Sequence, residues 1–253
     1  EAQTREHLAI LDLLNIRKGI VVITKKDTVD DELLSLVKME VEEIIGATTL
    51  AGSPVVAVSA FTREGLDELV ATIDRILGTL EPKRDLGRPR LPIDRVFSIA
   101  GAGTVVTGTL IDGALSVGQE VEVVPAELKS RIRGLQTHKA QIKTASPGSR
   151  VAANVVGVNV AQLRRGDVLT TPGWLIPTAL VTVKLRLLPY LRRPIKHSAE
   201  VSFHTGADET LAKVRLLEGN DLKPGQSTWA QVTLERSMAA VDGDYFIIRS
   251  SME

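Results

Sequence analysis

The sequence predicts an α/β domain followed by two all-β barrel domains, and three features support this order. Helical and buried-strand patterns alternate over residues 1–80. A proline-containing stretch without periodicity follows at 81–92, and we expect it to be a linker. Beyond it, short β-branched runs alternate with glycine turns, which is typical of sandwiches and small barrels. A break near Thr171-Pro172-Gly173 divides these runs, so we expect β domains at 93–173 and 174–253.

Three helical stripes and two short apolar strands make up the first domain. The stripes run from Leu8 to Leu14, from Leu33 to Ile45 and from Leu66 to Leu77, and the strands from Gly19 to Ile23 and from Val55 to Val58. Glycines that follow the last two stripes predict where those helices stop. Short apolar strands between helices imply a parallel sheet with both faces covered, which is half of a doubly wound domain.

The two β domains are predicted from alternating apolar and polar residues. The strands of the first are expected near 94–99, 104–111, 119–124, 130–137 and 150–160, and those of the second near 181–187, 199–204, 210–217, 227–235 and 245–249. No helical period interrupts these runs, so we expect both domains to be all-β.

Composition excludes several classes of protein. Lysine plus arginine and aspartate plus glutamate number 31 each, so any nucleic-acid contact must come from local patches. The chain has no cysteine, which removes disulfides, thiolate metal sites and cysteine nucleophiles. The four histidines lack metal-site spacing with carboxylates, so we expect no metal ligands. Neither a membrane-length apolar stretch nor a signal peptide is present, which predicts a cytoplasmic protein that does not contact membranes.

Two strand ends carry residues suited to a guanine base. The first strand is followed by Thr24, Lys25 and Asp27, and the second by Ser59 and Ala60. A carboxylate at Asp27 can accept from guanine N1–H and the 2-amino group, the Lys25 stem can pack on the base plane, and the Ala60 N–H can reach O6. Ligands of open α/β sheets lie at such strand ends. The alternative is that the lysine and aspartate form a solvated turn.

Longer motifs resemble a known family. Gln3-Thr4-Arg5-Glu6-His7, the T-K-x-D and S-A elements, and the glycine-rich run from Val96 to Gly108 resemble translational elongation factors of the EF-Tu class. Within that class the chain looks most like the selenocysteine-specific (SelB-type) factors. The segments that carry this closer likeness are Thr24, Leu91 to Arg95, Arg131 to His138, Pro147 to Arg150 and Arg165 to Asp167.

The resemblance implies the C-terminal half of a P-loop-type G domain, two β-barrels, GTP as ligand and delivery of selenocysteyl-tRNA to the ribosome by a monomer. The sequence has neither G-x-x-x-x-G-K-[ST] nor D-x-x-G, so we expect no catalytic residue and no GTP hydrolysis by this segment alone, with magnesium bound only in the full-length protein. We expect a truncated piece, in which contact with the messenger hairpin would need missing C-terminal domains. The alternative is a Tu-like module that binds aminoacyl-tRNA or protein without GTPase activity.

A pocket for selenocysteine needs fixed positive charge, because a selenol is largely ionised at neutral pH. Arg95 and Arg150 each lie at or near a predicted strand start, and arginine cannot lose its charge there. We expect both to face the selenolate, with Asp94 orienting an arginine and His138 as a fourth member. An Asp-Arg surface pair is the alternative interpretation.

A basic cluster in the last β domain suggests contact with tRNA phosphates. Arg192, Arg193 and Lys196 follow the first predicted strand of that domain. Such clusters bind phosphates with a steep salt dependence. The alternative is a solvated loop.

Overall fold

A computed structural model describes residues 2–250 of the chain. The chain divides into two compact units, Glu1–Glu81 and Pro82–Glu253. The first contains helices and a short sheet, and the second is almost entirely β-structure. The predicted fold class, part of an α/β domain followed by two all-β domains, is confirmed.

The first unit alternates helices and strands as the sequence predicts. Its elements are α1 (Ala2–Leu13), β1 (Val21–Ile23), a 3₁₀ helix (Lys26–Thr28), α2 (Asp31–Gly46), β2 (Val55–Ala57) and α3 (Leu66–Leu77). Strands β1 and β2 are parallel, with Val21 opposite Val55 and Ile23 opposite Ala57. The side chain of Asp30 accepts a hydrogen bond from the Leu33 N–H at 2.8 Å, which caps the start of α2. Parallel pairing puts the ends of β1 and β2 at the same edge of the sheet.

The first β domain is a closed barrel. Its strands are β3 (Arg90–Ile99), β4 (Gly103–Thr109), β5 (Leu115–Ser116), β6 (Glu120–Val124), β7 (Leu128–Thr137), β8 (Ala140–Ile142), β9 (Thr144–Ala145), β10 (Arg150–Val155) and β11 (Val168–Thr170). The order β10-β4-β3-β11-β6-β7 closes on itself because β10 also pairs with β7. Its core residues are buried, and Leu91, Ile93 and Leu169 among them are completely so.

The second β domain is a five-stranded antiparallel sheet with a short accessory ladder. Its strands are β12 (Thr178–Arg186), β13 (Ile195–Lys196), β14 (Ala199–Thr205), β15 (Asp208–Leu216), β16 (Asp221–Leu222), β17 (Ser227–Met238) and β18 (Phe246–Ser250). The order is β12-β17-β15-β14-β18, and β13 pairs with β16. The core includes Val214 and Val232, and the Phe203 and Phe246 rings stack with centroids 5.1 Å apart.

The structure differs from the sequence prediction at several strand boundaries. Strand β3 begins at Arg90, inside the stretch expected to be linker, because the backbone of Arg90 exchanges two hydrogen bonds with Ile111. The strand expected at 150–160 ends at Val155, and a 3₁₀ helix follows at Val160–Gln162. The domain boundaries given above stay predictions. Among the described helices, none is long and apolar enough to cross a membrane.

Candidate functional site

The candidate guanine loops lie side by side at the ends of β1 and β2. The Val58 N–H donates to the Ile23 carbonyl at 2.8 Å, and the Lys26 N–H donates to the Val58 carbonyl at 3.1 Å. The ammonium of Lys26 and the carboxylate of Glu64 lie 3.3 Å apart, which adds a tie between the two loops. The structure therefore brings the first loop, with Thr24, Lys25 and Asp27, next to the second.

The second loop is held in shape by its own hydrogen bonds. The side chain of Ser59 is buried; its N–H donates to the Glu64 carbonyl at 3.0 Å and its Oγ accepts from the Thr62 N–H at 3.1 Å. Gly65 has φ +74, and a Cβ there would lie 2.2 Å from the Ala57 carbonyl oxygen. Only glycine lets the loop return this closely to β2.

Two of the groups expected to touch the base make no hydrogen bond within the described part of the chain. Asp27 lies in the 3₁₀ helix with its side chain exposed, and within residues 2–250 its carboxylate has no hydrogen bond or ion pair. Over the same residues the Ala60 N–H has no acceptor. Lys25 is exposed and adopts left-handed backbone with φ 61, which turns the chain directly after Thr24. A carboxylate acceptor and a backbone donor are thus both open to a ligand.

Asp94 and Arg150 form a bidentate ion pair on the outside of the first barrel. Arg150 Nη2 donates to Asp94 Oδ1 at 2.9 Å, and Nη1 donates to Oδ2. Thr107 Oγ1 donates to the same Oδ1 at 2.8 Å. The side chains of Asp94 and Arg150 are 26% and 51% exposed, so the pair borders solvent. Of the four residues expected in the selenocysteyl pocket, these two are in direct contact.

Arg95 and His138 flank that pair. Arg95 follows Asp94 on β3, its side chain is exposed, and in the described part of the chain it makes no ion pair. His138 lies in the β7–β8 turn, and its Nδ1 is 3.1 Å from Thr137 Oγ1. That hydroxyl also donates to the Arg150 carbonyl at 2.9 Å. His138 is therefore linked to Arg150 through one threonine.

The charges in this cluster leave one positive charge uncompensated. The hydrogen bonds from Arg150 lower the pKa of Asp94; desolvation opposes this shift, while Thr107 and the charges of Arg150 and Arg95 add to it. Asp94 in turn raises the pKa of Arg150. With Asp94 ionised, two guanidinium groups face one carboxylate. The arrangement suits a single anionic group.

The basic side chains of the third candidate site are exposed. Arg192 and Arg193 lie in the bend after β12, and Lys196 lies in β13, opposite Asp221. None of the three makes an ion pair in the part of the chain that the structure describes. Their role as tRNA contacts stays a prediction.

Thr107 and Thr137 are the polar residues that the sequence did not indicate. Each lies in a predicted strand, where threonine is an ordinary β-former, so nothing in the local pattern distinguishes it. For Thr107 the signal would have been its cross-strand partner, because it lies opposite Arg95. The strand partner of Thr137 is Ala140, which gives no such signal. The strand register is needed to see the pairing of Thr107 with Arg95, and no pattern in the sequence reports the register directly.

Three segments of the chain match known protein families. The elongation factor Tu GTP-binding domain matches residues 1–79, and elongation factor Tu domain 2 matches residues 103–170. The β-barrel domain of the selenocysteine-specific elongation factor matches residues 179–253. With the fold described above, these matches define a chain of the elongation factor Tu class.

Individual relatives narrow this class. The selenocysteine-specific elongation factor of Desulfomicrobium baculatum is 45% identical over 248 residues, which is 98% of this chain and 39% of the relative. That of Methanocaldococcus jannaschii is 31% identical over 263 residues, which is 98% of this chain and 56% of the relative. The chain belongs to the family of selenocysteine-specific elongation factors. It spans well under two thirds of the length of either relative.

Solved structures agree with this assignment. The crystal structure of a bacterial selenocysteine-specific elongation factor, EF-Sec, superposes with a TM-score of 0.86 at 27% identity and covers 99% of this chain and 40% of that one. SelB from Methanococcus maripaludis in complex with the GTP analogue GPPNHP superposes with a TM-score of 0.83 at 30% identity, covering 99% of this chain and 58% of that one.

Proposed function

We propose that this chain supplies the guanine-recognition loops and the aminoacyl pocket of an elongation factor that binds GTP and delivers selenocysteyl-tRNA to the ribosome. In this proposal Asp27 pairs with guanine N1–H and the 2-amino group, and the Ala60 N–H donates to O6. Thr24, Lys25 and Ser59 shape the loops around the base. The open carboxylate of Asp27 and the open N–H of Ala60 support this assignment.

We assign no binding of phosphate or metal to these 253 residues. The sequence contains no G-x-x-x-x-G-K-[ST] loop to hold a β-phosphate. Among residues 2–250, no group of three or more metal-ligating side chains is found, so we assign no magnesium ligand to this chain. Hydrolysis of GTP is therefore not assigned to any residue here.

The observation that carries the aminoacyl part of the proposal is the cluster of Asp94, Arg95 and Arg150. Arg150 is engaged by Asp94 on both terminal nitrogens, while Arg95 has no ion-pair partner among the described residues. A selenolate carries a full negative charge at neutral pH, whereas a serine hydroxyl carries none. Arg95 thus supplies the charge that separates the two amino acids, and His138 adds a second donor when protonated.

Replacing Arg95 with alanine tests this function. We expect the dissociation constant for selenocysteyl-tRNA to rise about tenfold or more, as for a lost hydrogen bond between charged groups, and that for seryl-tRNA to stay nearly constant. Equilibrium binding to both tRNAs measures the ratio. Arg131→Ala is the matched control, because Arg131 is an exposed arginine on β7 whose one ion pair among residues 2–250 is with exposed Glu120, at 3.5 Å. Equal losses for both tRNAs would contradict the proposal.

A further inference from the structure

A β-bulge places Asp94 where a neighbouring threonine can fix it. The register of β3 against β4 shifts between Ile93 and Arg95, so Asp94 is the extra residue of the bulge. Bulges re-aim side chains in this way. Thr107, opposite Arg95, donates its hydroxyl proton to Asp94 Oδ1 at 2.8 Å, and Arg150 Nη2 donates to the same oxygen at 2.9 Å. The carboxylate is thus held from two strands.

A second threonine determines which ring nitrogen of neutral His138 carries the proton. The Thr137 hydroxyl has one proton, and the Arg150 carbonyl oxygen at 2.9 Å can only accept it. The hydroxyl oxygen must then accept from His138 Nδ1 at 3.1 Å. Neutral His138 therefore carries its proton on Nδ1 and leaves Nε2 as an acceptor.

The backbone conformation of the turn that carries His138 is also restricted. Ala140 pairs with Thr137, so the turn has two central residues, His138 and Lys139. Both have positive φ, at 49° and 66°, as the tight hairpin turns that match strand twist require. The position of the ring relative to Arg150 is set by this turn together with the Thr137 hydroxyl.

We infer that Thr107 and Thr137 are positioning residues of the aminoacyl pocket, which hold the Asp94–Arg150 pair and the His138 ring so that the Arg95 guanidinium is left uncompensated. This inference rests on the proposed function. It also assigns different roles to the two arginines: Arg150 is bound to Asp94 and shapes the pocket, and Arg95 contacts the anionic group. Without the Thr107 hydroxyl, only the guanidinium of Arg150 would hold Asp94 Oδ1 in place, and the carboxylate would have one restraint fewer against turning toward Arg95.

Thr107→Val and Thr107→Ser test the inference on the 253-residue chain. Valine keeps the branched shape but removes the hydroxyl, and serine keeps the hydroxyl. We expect valine to raise the pKa of Asp94, which the pH titration of its carboxyl ¹³C resonance measures. We also expect valine to lower the preference for selenocysteyl-tRNA over seryl-tRNA about tenfold. Serine should restore both. Thr109→Val is the control, since Thr109 is exposed, lies opposite Arg150 and makes no side-chain hydrogen bond among the described residues.

Thr137→Val tests the second contact. Imidazole ¹⁵N shifts should show the Nδ1–H tautomer of His138 in the unmodified chain and a mixture of tautomers in the variant. Unchanged shifts, or a wild-type Asp94 titration and tRNA preference in Thr107→Val, would overturn the inference. If the unmodified chain binds both tRNAs equally, the proposed function itself fails, whatever the threonine variants do to the resonances.

Discussion

At the scale of single residues, the guanine loops and the barrel pocket differ in how far their polar groups are already engaged. In the guanine loops, the carboxylate of Asp27 and the N–H of Ala60 have no partner among the described residues, and the hydrogen bonds that shape the loops are made by Ser59 and Lys26. In the barrel, Asp94 accepts from two residues. The guanine loops therefore leave an acceptor and a donor open to a ligand, whereas the main group that the barrel pocket leaves open is the Arg95 guanidinium.

Asp27→Asn is the residue-scale test of the guanine assignment. Asparagine replaces one acceptor oxygen with an NH₂ donor, which would face a donor of guanine, so we expect guanosine binding to fall about tenfold or more. Xanthosine, which has a carbonyl at C2, should bind the variant better than guanosine does. Saturation-transfer NMR with the two nucleosides measures both effects.

The control for this substitution is Asp67→Asn, because Asp67 is an exposed aspartate in the first turn of α3. It should leave guanosine binding at the level of the unmodified chain. If Asp27→Asn does the same, the base does not pair with Asp27 and the assignment is wrong.

Single residues were predictable where their role depends on neighbours in sequence. Thr24, Lys25 and Asp27 directly follow a strand, so the parallel pairing of β1 and β2 was enough to expect them beside the second loop. Thr107 acts across β3 and β4, and its hydrogen bond exists only because a bulge shifts Asp94. No periodicity in the sequence reports a bulge.

At the scale of elements, capped helices were predicted well and short ladders were not. Helix α3 ends before Gly78, as the sequence indicated, and α2 ends at Gly46, the glycine expected to stop it. The two-residue strands β5, β9, β13 and β16 hold no repeat of the alternating pattern and were missed. Strand β3 begins early because Arg90 pairs with Ile111, a contact that depends on tertiary structure.

At the scale of the whole second unit, one arginine joins the two β domains. The guanidinium of Arg90 donates to both carboxylate oxygens of Asp244, at 2.7 and 2.8 Å, and to Asp112 Oδ2 at 2.7 Å. Asp112 follows β4 and Asp244 precedes β18, so the contact spans both domains. Burial lowers the pKa of Arg90, but the hydrogen bonds and charges of Asp244 and Asp112 outweigh it and raise the pKa overall.

An apolar cluster lies at the same junction. Val124 and Val168 of the first barrel pack with Leu175, and Ala239 and Val241 of the second domain pack against them. Burial of these side chains excludes water from around the junction, which strengthens the nearby ion pairs. We therefore expect the two β domains to unfold together.

Arg90→Met tests this junction. Methionine keeps part of the apolar volume but leaves two carboxylates without their cation, so we expect the free energy of unfolding to fall by about 3 kcal/mol, as for a broken buried ion pair. Urea denaturation followed by tryptophan fluorescence measures it. Arg84→Met, at an exposed position, should change the free energy by less than about 0.5 kcal/mol. Similar values for the two variants would show that Arg90 does not hold the domains together.

We propose that the barrel pocket recognises negative charge on the amino acid, and cysteine provides a sharp test. A thiol has a pKa of about 8.5, so cysteine changes from neutral to anionic in an accessible range, while serine stays neutral. We would measure the affinity of the chain for amide-linked cysteinyl-, seryl- and selenocysteyl-tRNA between about pH 7 and 9. We expect cysteinyl-tRNA to bind like seryl-tRNA at the low end of this pH range and to approach the affinity of selenocysteyl-tRNA at the high end. Cysteinyl- and seryl-tRNA affinities that stay parallel across the range would contradict it.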